Sequence, residues 1–180
     1  MYGATKDSNT MNAAALKTLM EDYGEDVWNY AYYLARSRSA ADDISQETFI
    51  RAYKYRDTFR GEASVRTWLL RITRNRWLSY RSSSFIRRVT LQAHAGRSGS
   101  SPSAEEVFLQ QSLSSEVFKV VLQLPRNARE VLMLYAHYGL SMEELAGMLG
   151  ISLSAAKSRL HRARQQANEY WKKEKELNRS

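Results

Sequence analysis

The sequence predicts an all-α protein built as two small helical domains joined by a flexible linker, the second domain carrying a helix-turn-helix. Three observations lead there. Leu, Ala, Glu, Arg, Lys and Met recur at three- and four-residue spacings along most of the chain. Only two prolines and eight glycines interrupt its 180 residues. No run of alternating β-branched residues suggests a strand. With 43% hydrophobic residues, the chain can bury a core and is not a candidate for wholesale disorder.

Residues 1–82 form the expected first domain. Leu16, Met20, Tyr23, Val27, Tyr30 and Leu34 step by four, three, four, three and four, which places them on one helix face. A second helix is expected over residues 40–56, with Ile44, Phe49, Ala52 and Tyr53 apolar. After a break at Phe59-Arg60-Gly61, a third helix should begin near Ser64, which fits as an N-cap, and run to about residue 80. Val65, Trp68, Leu69 and Ile72 supply its buried stripe. The pattern then collapses. Ser82-Ser83-Ser84 and the Gly- and Ser-rich run at residues 96–103 are linker chemistry, so residues 83–104 are assigned to a flexible connection.

The second domain, residues 105–180, resumes with Leu113, Val117, Val120 and Leu124 at helical spacing, and Pro125 breaks that helix. Another helix is expected over residues 127–138, closed by Gly139. Ser141-Met142-Glu143-Glu144 fits a capping box, in which the Ser hydroxyl and the Glu carboxylate satisfy exposed amide donors reciprocally. That short helix ends at Gly150, and the last long one begins near Ser152.

Charge narrows the class of partner. Twenty-seven Lys and Arg against nineteen Asp and Glu give a formal charge of +8, which favours a polyanion. The distribution is polar along the chain. Residues 21–47 carry Glu21, Asp22, Glu25, Asp26, Asp42, Asp43 and Glu47 against Arg36 and Arg38; residues 51–88 supply eleven Arg and Lys against Asp57 and Glu62. An acidic, protein-facing surface followed by a phosphate-facing one is the expectation. No cysteine is present, which excludes disulfides and thiolate metal sites. No stretch approaches eighteen uncharged apolar residues, and no basic segment followed by an apolar one opens the chain, so direct membrane insertion is not expected and a cytoplasmic location is.

Residues 141–164, SMEELAGMLGISLSAAKSRLHRAR, read as a helix-turn-helix. Ala146 is small where two helices must cross, Gly150 sits in the turn, and Leu145, Leu149 and Ile151 would bury against the last helix. On that helix Ala156, Leu160, Ala163 and Ala167 form a narrow apolar stripe. Opposite lie Ser154, Ser158, His161, Arg162 and Gln165, with Lys157 and Arg164 on one flank and Arg159 on the other. A helix in the major groove needs short polar groups and Arg toward base edges and cations toward phosphates. A solvated basic face is the rival explanation for any single Arg-rich helix; capping box, turn glycine and divided face together favour DNA.

Two segments carry a family resemblance. Residues 41–80, ADDISQETFIRAYKYRDTFRGEASVRTWLLRITRNRWLSY, resemble region 2 of the extracytoplasmic-function sigma factors, and residues 124–164 resemble region 4 of the same family. The resemblance implies a protein that binds core RNA polymerase and directs it to promoters. Asp43, Gln46 and Glu47 then match the segment that docks on the β′ clamp helices, and region 4 implies the β flap as a further contact. Phe59, Arg60, Gly61, Glu62, Ala63 and Ser64 match the loop that captures a base flipped from the −10 element, with Trp68 and Asn75 on the helix beneath it. The chemistry suits the role, since stacking platforms and cationic grooves hold melted strands and an amide can read a base edge. Trp68 also fits a core position, and Trp77 fits either. Ser154, Lys157, Ser158, Arg159, His161, Arg162 and Arg164 match the stretch that reads the −35 element. The chain departs from the family pattern at Ala40, where an acidic residue is usual, and at Ser154-Ala155-Ala156, where Gly-Thr-Val is common. An anti-sigma factor is a further implied partner.

An enzyme reading finds little support. His94, His137 and His161 are scattered, no phosphate loop or nucleophile grouping is visible, and Asp42 and Asp43 are adjacent on a helix and so point about 100° apart. No catalytic residue, metal ligand, cofactor or small-molecule substrate is expected. The alternative of a stand-alone helix-turn-helix regulator, with residues 1–82 as sensor or dimerisation domain, differs in needing no polymerase.

Overall fold

The structure, a computed structural model, describes residues 5–92 and 116–177. Leu113, His94 and the Gly- and Ser-rich run lie outside them. The chain divides into two compact units, residues 1–95 and 96–180, and the described residues of both are helical.

In the first unit α1 (Thr5–Ala35), α2 (Arg38–Lys54) and α3 (Val65–Gln92) pack mutually around Val27, Phe49, Ala52 and Leu69. The α1–α2 reversal takes two residues. Arg36 adopts a left-handed conformation (φ 53°) and its amide donates to the Tyr32 carbonyl, while Ser37 caps α2 by accepting from the Ala40 amide. So short a turn forces the two helices to lie side by side. Where α2 meets α3, Thr48 and Thr73 are fully buried. Each hydroxyl donates to the carbonyl four residues back at 2.8 Å, and the two oxygens lie 3.4 Å apart, so neither hydroxyl is left unsatisfied. Arg66 on α3 ties back to Asp26 on α1 at 2.7 Å.

The second unit holds α4 (Glu116–Gln123), α5 (Arg126–Leu132), α6 (Met142–Leu149) and α7 (Leu153–Leu177). Leu124, Val131, Leu134 and Leu145 are fully buried, and α7 packs on each of the other three helices. Pro125 separates α4 from α5 as the sequence predicts.

Four details differ from expectation. The third helix does not stop near residue 80 but continues to Gln92, through the serines assigned to the linker. Their hydroxyls fold back on the helix: Ser82 Oγ donates to the Leu78 carbonyl and Ser83 Oγ to that of Ser79, both at 3.0 Å, so the serines compete for no non-helical conformation. The helix expected over 127–138 widens into a π turn, Met133–His137, where the Tyr138 amide reaches back five residues to Met133. Met20 (48% exposed) and Val117 (55% exposed) fall outside the buried stripes they were assigned to. Val120 and Leu124 of that stripe are buried as expected, and Val121 and Leu122 are buried with them.

Candidate nucleic-acid interface

The loop before α3 is shaped by three local devices. A 3₁₀ turn, Arg56–Thr58, closes when the Phe59 amide donates to the Arg56 carbonyl at 3.0 Å. Gly61 then takes φ 71°, a backbone conformation that side chains with a Cβ rarely adopt. Ser64 starts α3: its hydroxyl accepts from the Thr67 amide and donates to Thr67 Oγ1, both at 3.0 Å. The Ser64 side chain thereby caps the helix. These turns set the Phe59 ring against Trp68, centroids 5.2 Å apart and tilted by 47°. The result is an open cleft of about 240 Å³ lined by Phe59, Arg60, Glu62, Ala63, Trp68 and Arg71. Aromatic walls and two guanidinium groups suit an unstacked base and its phosphate.

Trp68 has two sets of neighbours. It is half-buried, packs on the Val27–Phe49–Ala52–Leu69 core, and still forms a wall of the cleft. Trp77 is core, 4% exposed, with the Arg81 guanidinium 5.3 Å from its ring. Asn75 is exposed but does not line the loop cleft. It belongs to a neighbouring cleft of about 340 Å³, between α2 and α3, that shares Trp68 and Arg71 with the first.

On α2, Asp43, Gln46 and Glu47 are exposed on one face, and Ile50, one turn further, extends that face with a side chain 55% exposed. Sequence reasoning missed Ile50; its position seven residues after Asp43 was the available signal. Asp43 and Glu47 differ in their surroundings. The Glu47 carboxylate lies 3.2 Å from Arg76 and 3.7 Å from Arg51. Asp42 is withdrawn from the face by Trp28, whose indole N–H donates to it at 2.6 Å while its ring stacks on Tyr32. Ala40, where the family usually has an acid, is buried at 3% exposure, so this chain's acidic face begins at Asp43.

The helix-turn-helix of the second unit is α6 and α7. Ser141 Oγ accepts from the Glu144 amide at 3.1 Å and Glu144 Oε2 accepts from the Ser141 amide at 2.9 Å, completing the capping box. Gly150 takes φ 66° and the Ile151 amide closes on the Ala146 carbonyl at 3.1 Å. Ser152 then caps α7 through the Ala155 amide at 3.2 Å. Ala156 (0%), Leu160 (5%) and Ala163 (1%) are buried and Ala167 is half-buried, so the apolar stripe faces inward as expected. Ser154, Lys157, Ser158, His161, Arg162 and Arg164 are exposed. Two of the cations are held: the Arg162 Nε donates back to the Ser158 carbonyl at 3.4 Å, and Arg164 lies over the Tyr135 ring at 5.2 Å. Arg159 is half-buried and lines a groove of about 250 Å³ with Pro125, Asn127, Arg162 and Gln166.

Comparison with known proteins matches both units. The Sigma-70 region 2 family covers residues 19–84, and the Sigma-70, region 4 family covers residues 115–166. The RNA polymerase sigma factor YlaC of Bacillus subtilis is 30% identical over 152 residues, 83% of this chain and 88% of that protein. The ECF RNA polymerase sigma-E factor of Escherichia coli is 32% identical over 132 residues, 68% of this chain and 69% of that protein. Among solved structures, the sigma factor RpoE in complex with the anti-sigma factor NepR from Bartonella quintana superposes with a TM-score of 0.60 at 23% identity, over 93% of this chain and 98% of that one.

Proposed function

The chain belongs to the extracytoplasmic-function RNA polymerase sigma factors of the sigma-70 family, and from this we propose how its surfaces divide the work of initiation. It binds core RNA polymerase and directs promoter-specific transcription, the first unit taking the −10 element and the second the −35 element. The observation that carries this division is the loop cleft, where Phe59 and Trp68, packed on each other, form an aromatic wall with Arg60 and Arg71 beside it, on a chain whose other unit presents a capped helix-turn-helix. The stand-alone regulator is not favoured, because the first unit as well as the second matches a sigma-70 region.

The polymerase docks on the α2 face of Asp43, Gln46, Glu47 and Ile50. Carboxylates there suit arginines on a partner, and the apolar side chain supplies a desolvated centre. The protein acts in the cytoplasm with polymerase and catalyses nothing itself. An anti-sigma factor is a reasonable further partner, because a protein of the same fold is held by one. The experiment is transcription from a promoter library with core polymerase, with and without this protein. Specific start sites should appear only when both are present; tight specific duplex binding by the free protein, with no effect on transcription, would restore the stand-alone regulator.

The recognition helix yields a second expected result. Arg162→Ala should relax discrimination at one or two positions of the −35 element, because Arg162 projects from the exposed face. Arg159→Ala and Arg164→Ala should weaken binding about evenly across sequences and lower the salt slope by roughly one unit each, as lost phosphate contacts do. Affinities of variant −35 duplexes at several salt concentrations separate the two patterns. An even loss for Arg162→Ala would reassign it to the backbone.

A further inference from the structure

Two arginines of α7 are steadied in different ways. The Arg162 Nε donates back to its own helix, at the Ser158 carbonyl 3.4 Å away, whereas the Arg164 guanidinium lies over the Tyr135 ring, 5.2 Å from its centroid. That ring comes from outside the recognition helix. Tyr135 stands in the π turn Met133–His137, which closes over five residues where an α-helix closes over four, the Tyr138 amide donating to the Met133 carbonyl at 3.0 Å. Leu134 and Tyr138 are buried on either side. The widened turn therefore carries Tyr135, Ala136 and His137 outward between them, Tyr135 half-buried and the other two exposed. A second closure fixes the segment: Gly139 takes φ 69° and the Leu140 amide donates to the Leu134 carbonyl at 3.0 Å. The Tyr135 ring is thus a shelf at the edge of the core, with Arg164 on it. Lys157, two turns earlier on the same flank of α7, is exposed and has no ring or ion-pair partner among the described residues.

We propose that Tyr135 is a positioning residue for the −35 contact: its ring holds the Arg164 guanidinium in a pose ready for a backbone phosphate, so that one flank of the recognition helix is set by the π turn. The proposal rests on the reading of Arg164 as a phosphate contact. The ring face attracts the cation, and a guanidinium held over a ring keeps the N–H groups at its edge for an anion. An arginine already held in place also loses less conformational freedom when the phosphate arrives. The role belongs to the ring and not to the hydroxyl, since a phenyl ring offers the cation the same face.

The test uses the full-length chain and a fluorescein-labelled duplex carrying the −35 element, followed by anisotropy at several salt concentrations. Tyr135→Leu should weaken binding about threefold and evenly across −35 variants, the scale of an exposed cation–π contact. Tyr135→Gln, a flexible side chain without a ring, should do the same, while Tyr135→Phe should bind as the wild type does. Helical circular dichroism should be unchanged in all three, because Tyr135 is only half-buried. In an Arg164→Ala background neither Tyr135→Leu nor Tyr135→Gln should cost anything further, since the group they misplace is gone. Losses that persist in that background would mean that Tyr135 acts through the fold of the unit or touches DNA itself, and would overturn the proposal. A loss for Tyr135→Phe as large as that for Tyr135→Leu would overturn it too. Arg164→Ala alone tells the two failures apart. If it lowers affinity and salt slope while Tyr135→Leu and Tyr135→Gln lose nothing, Arg164 keeps its phosphate and only the positioning role falls; if it changes neither, the phosphate reading is wrong and the proposal goes with it.

Discussion

Core-polymerase affinity should fall by about a hundredfold when Asp43→Lys and Ile50→Asp are combined, with helical circular dichroism and melting temperature nearly unchanged. Both side chains are exposed, Ile50 at 55%, so neither substitution opens a cavity or buries a charge in the free protein. The size of the effect comes from the arrangement. Asp43, Gln46, Glu47 and Ile50 recur at three, four and seven residues from the first, which is one helical face. Interfaces concentrate their energy in a few desolvated anchors ringed by polar contacts, and truncating an anchor costs ~2 kcal/mol or more. Placing a carboxylate at such a centre adds a desolvation cost, and reversing Asp43 adds repulsion from any arginine opposite, so ~3 kcal/mol for the pair is conservative and corresponds to the hundredfold stated. Titration of labelled protein with core enzyme measures it. Glu47 is left intact in this experiment because its pairing with Arg76 would mix two effects. Affinity unchanged by the double substitution would remove α2 from the docking surface.

The other large effect is on stability. Leu145→Ala should cost the second unit ~3 kcal/mol, since Leu145 is fully buried between α6 and its neighbours and buried leucines lose 2–5 kcal/mol on truncation. Hydrogen exchange reads this segment by segment. Protection of the α5–α7 amides should drop by roughly a hundredfold while the α1–α3 amides keep theirs, because each unit encloses its own core. Leu153→Ala, 37% exposed at the start of α7, should change little. Equal loss of protection in both units would show that they unfold together; no loss in either would mean that the site collapses around the smaller side chain.

The comparison between sequence and structure divides along the range of the interactions. The capping box at Ser141, the turn at Gly150, the cap at Ser64 and the inward stripe of α7 were legible because each is written within three to eleven residues. Met20 and Val117 kept the right spacing yet lie exposed: periodicity places a residue on a face and says nothing of how far the neighbouring helix reaches. The serines after Tyr80 misled because composition resembles a linker while the hydroxyl-to-carbonyl bonds that keep them helical leave no trace in it. The π turn adds one residue to a helical turn, below the resolution of any spacing argument. At the candidate site, the loop residues and the α2 acids each fall within one short segment, but the pairing of Glu47 with Arg76 joins positions far apart in sequence. So does the separation of Asn75 from the loop it was expected to serve.

The serine that opens each of four helices has a kinetic consequence. Ser37, Ser64, Ser141 and Ser152 each accept the amide of the residue three positions on: Ala40, Thr67, Glu144 and Ala155. Such a start signal is written within one turn and needs no distant segment to form. Each of these contacts closes a loop of three residues, so marking the start of a helix costs little loop-closure entropy and proceeds on the timescale of helix formation itself. The starts of these four helices are therefore marked by neighbouring residues and need no packing against a distant segment.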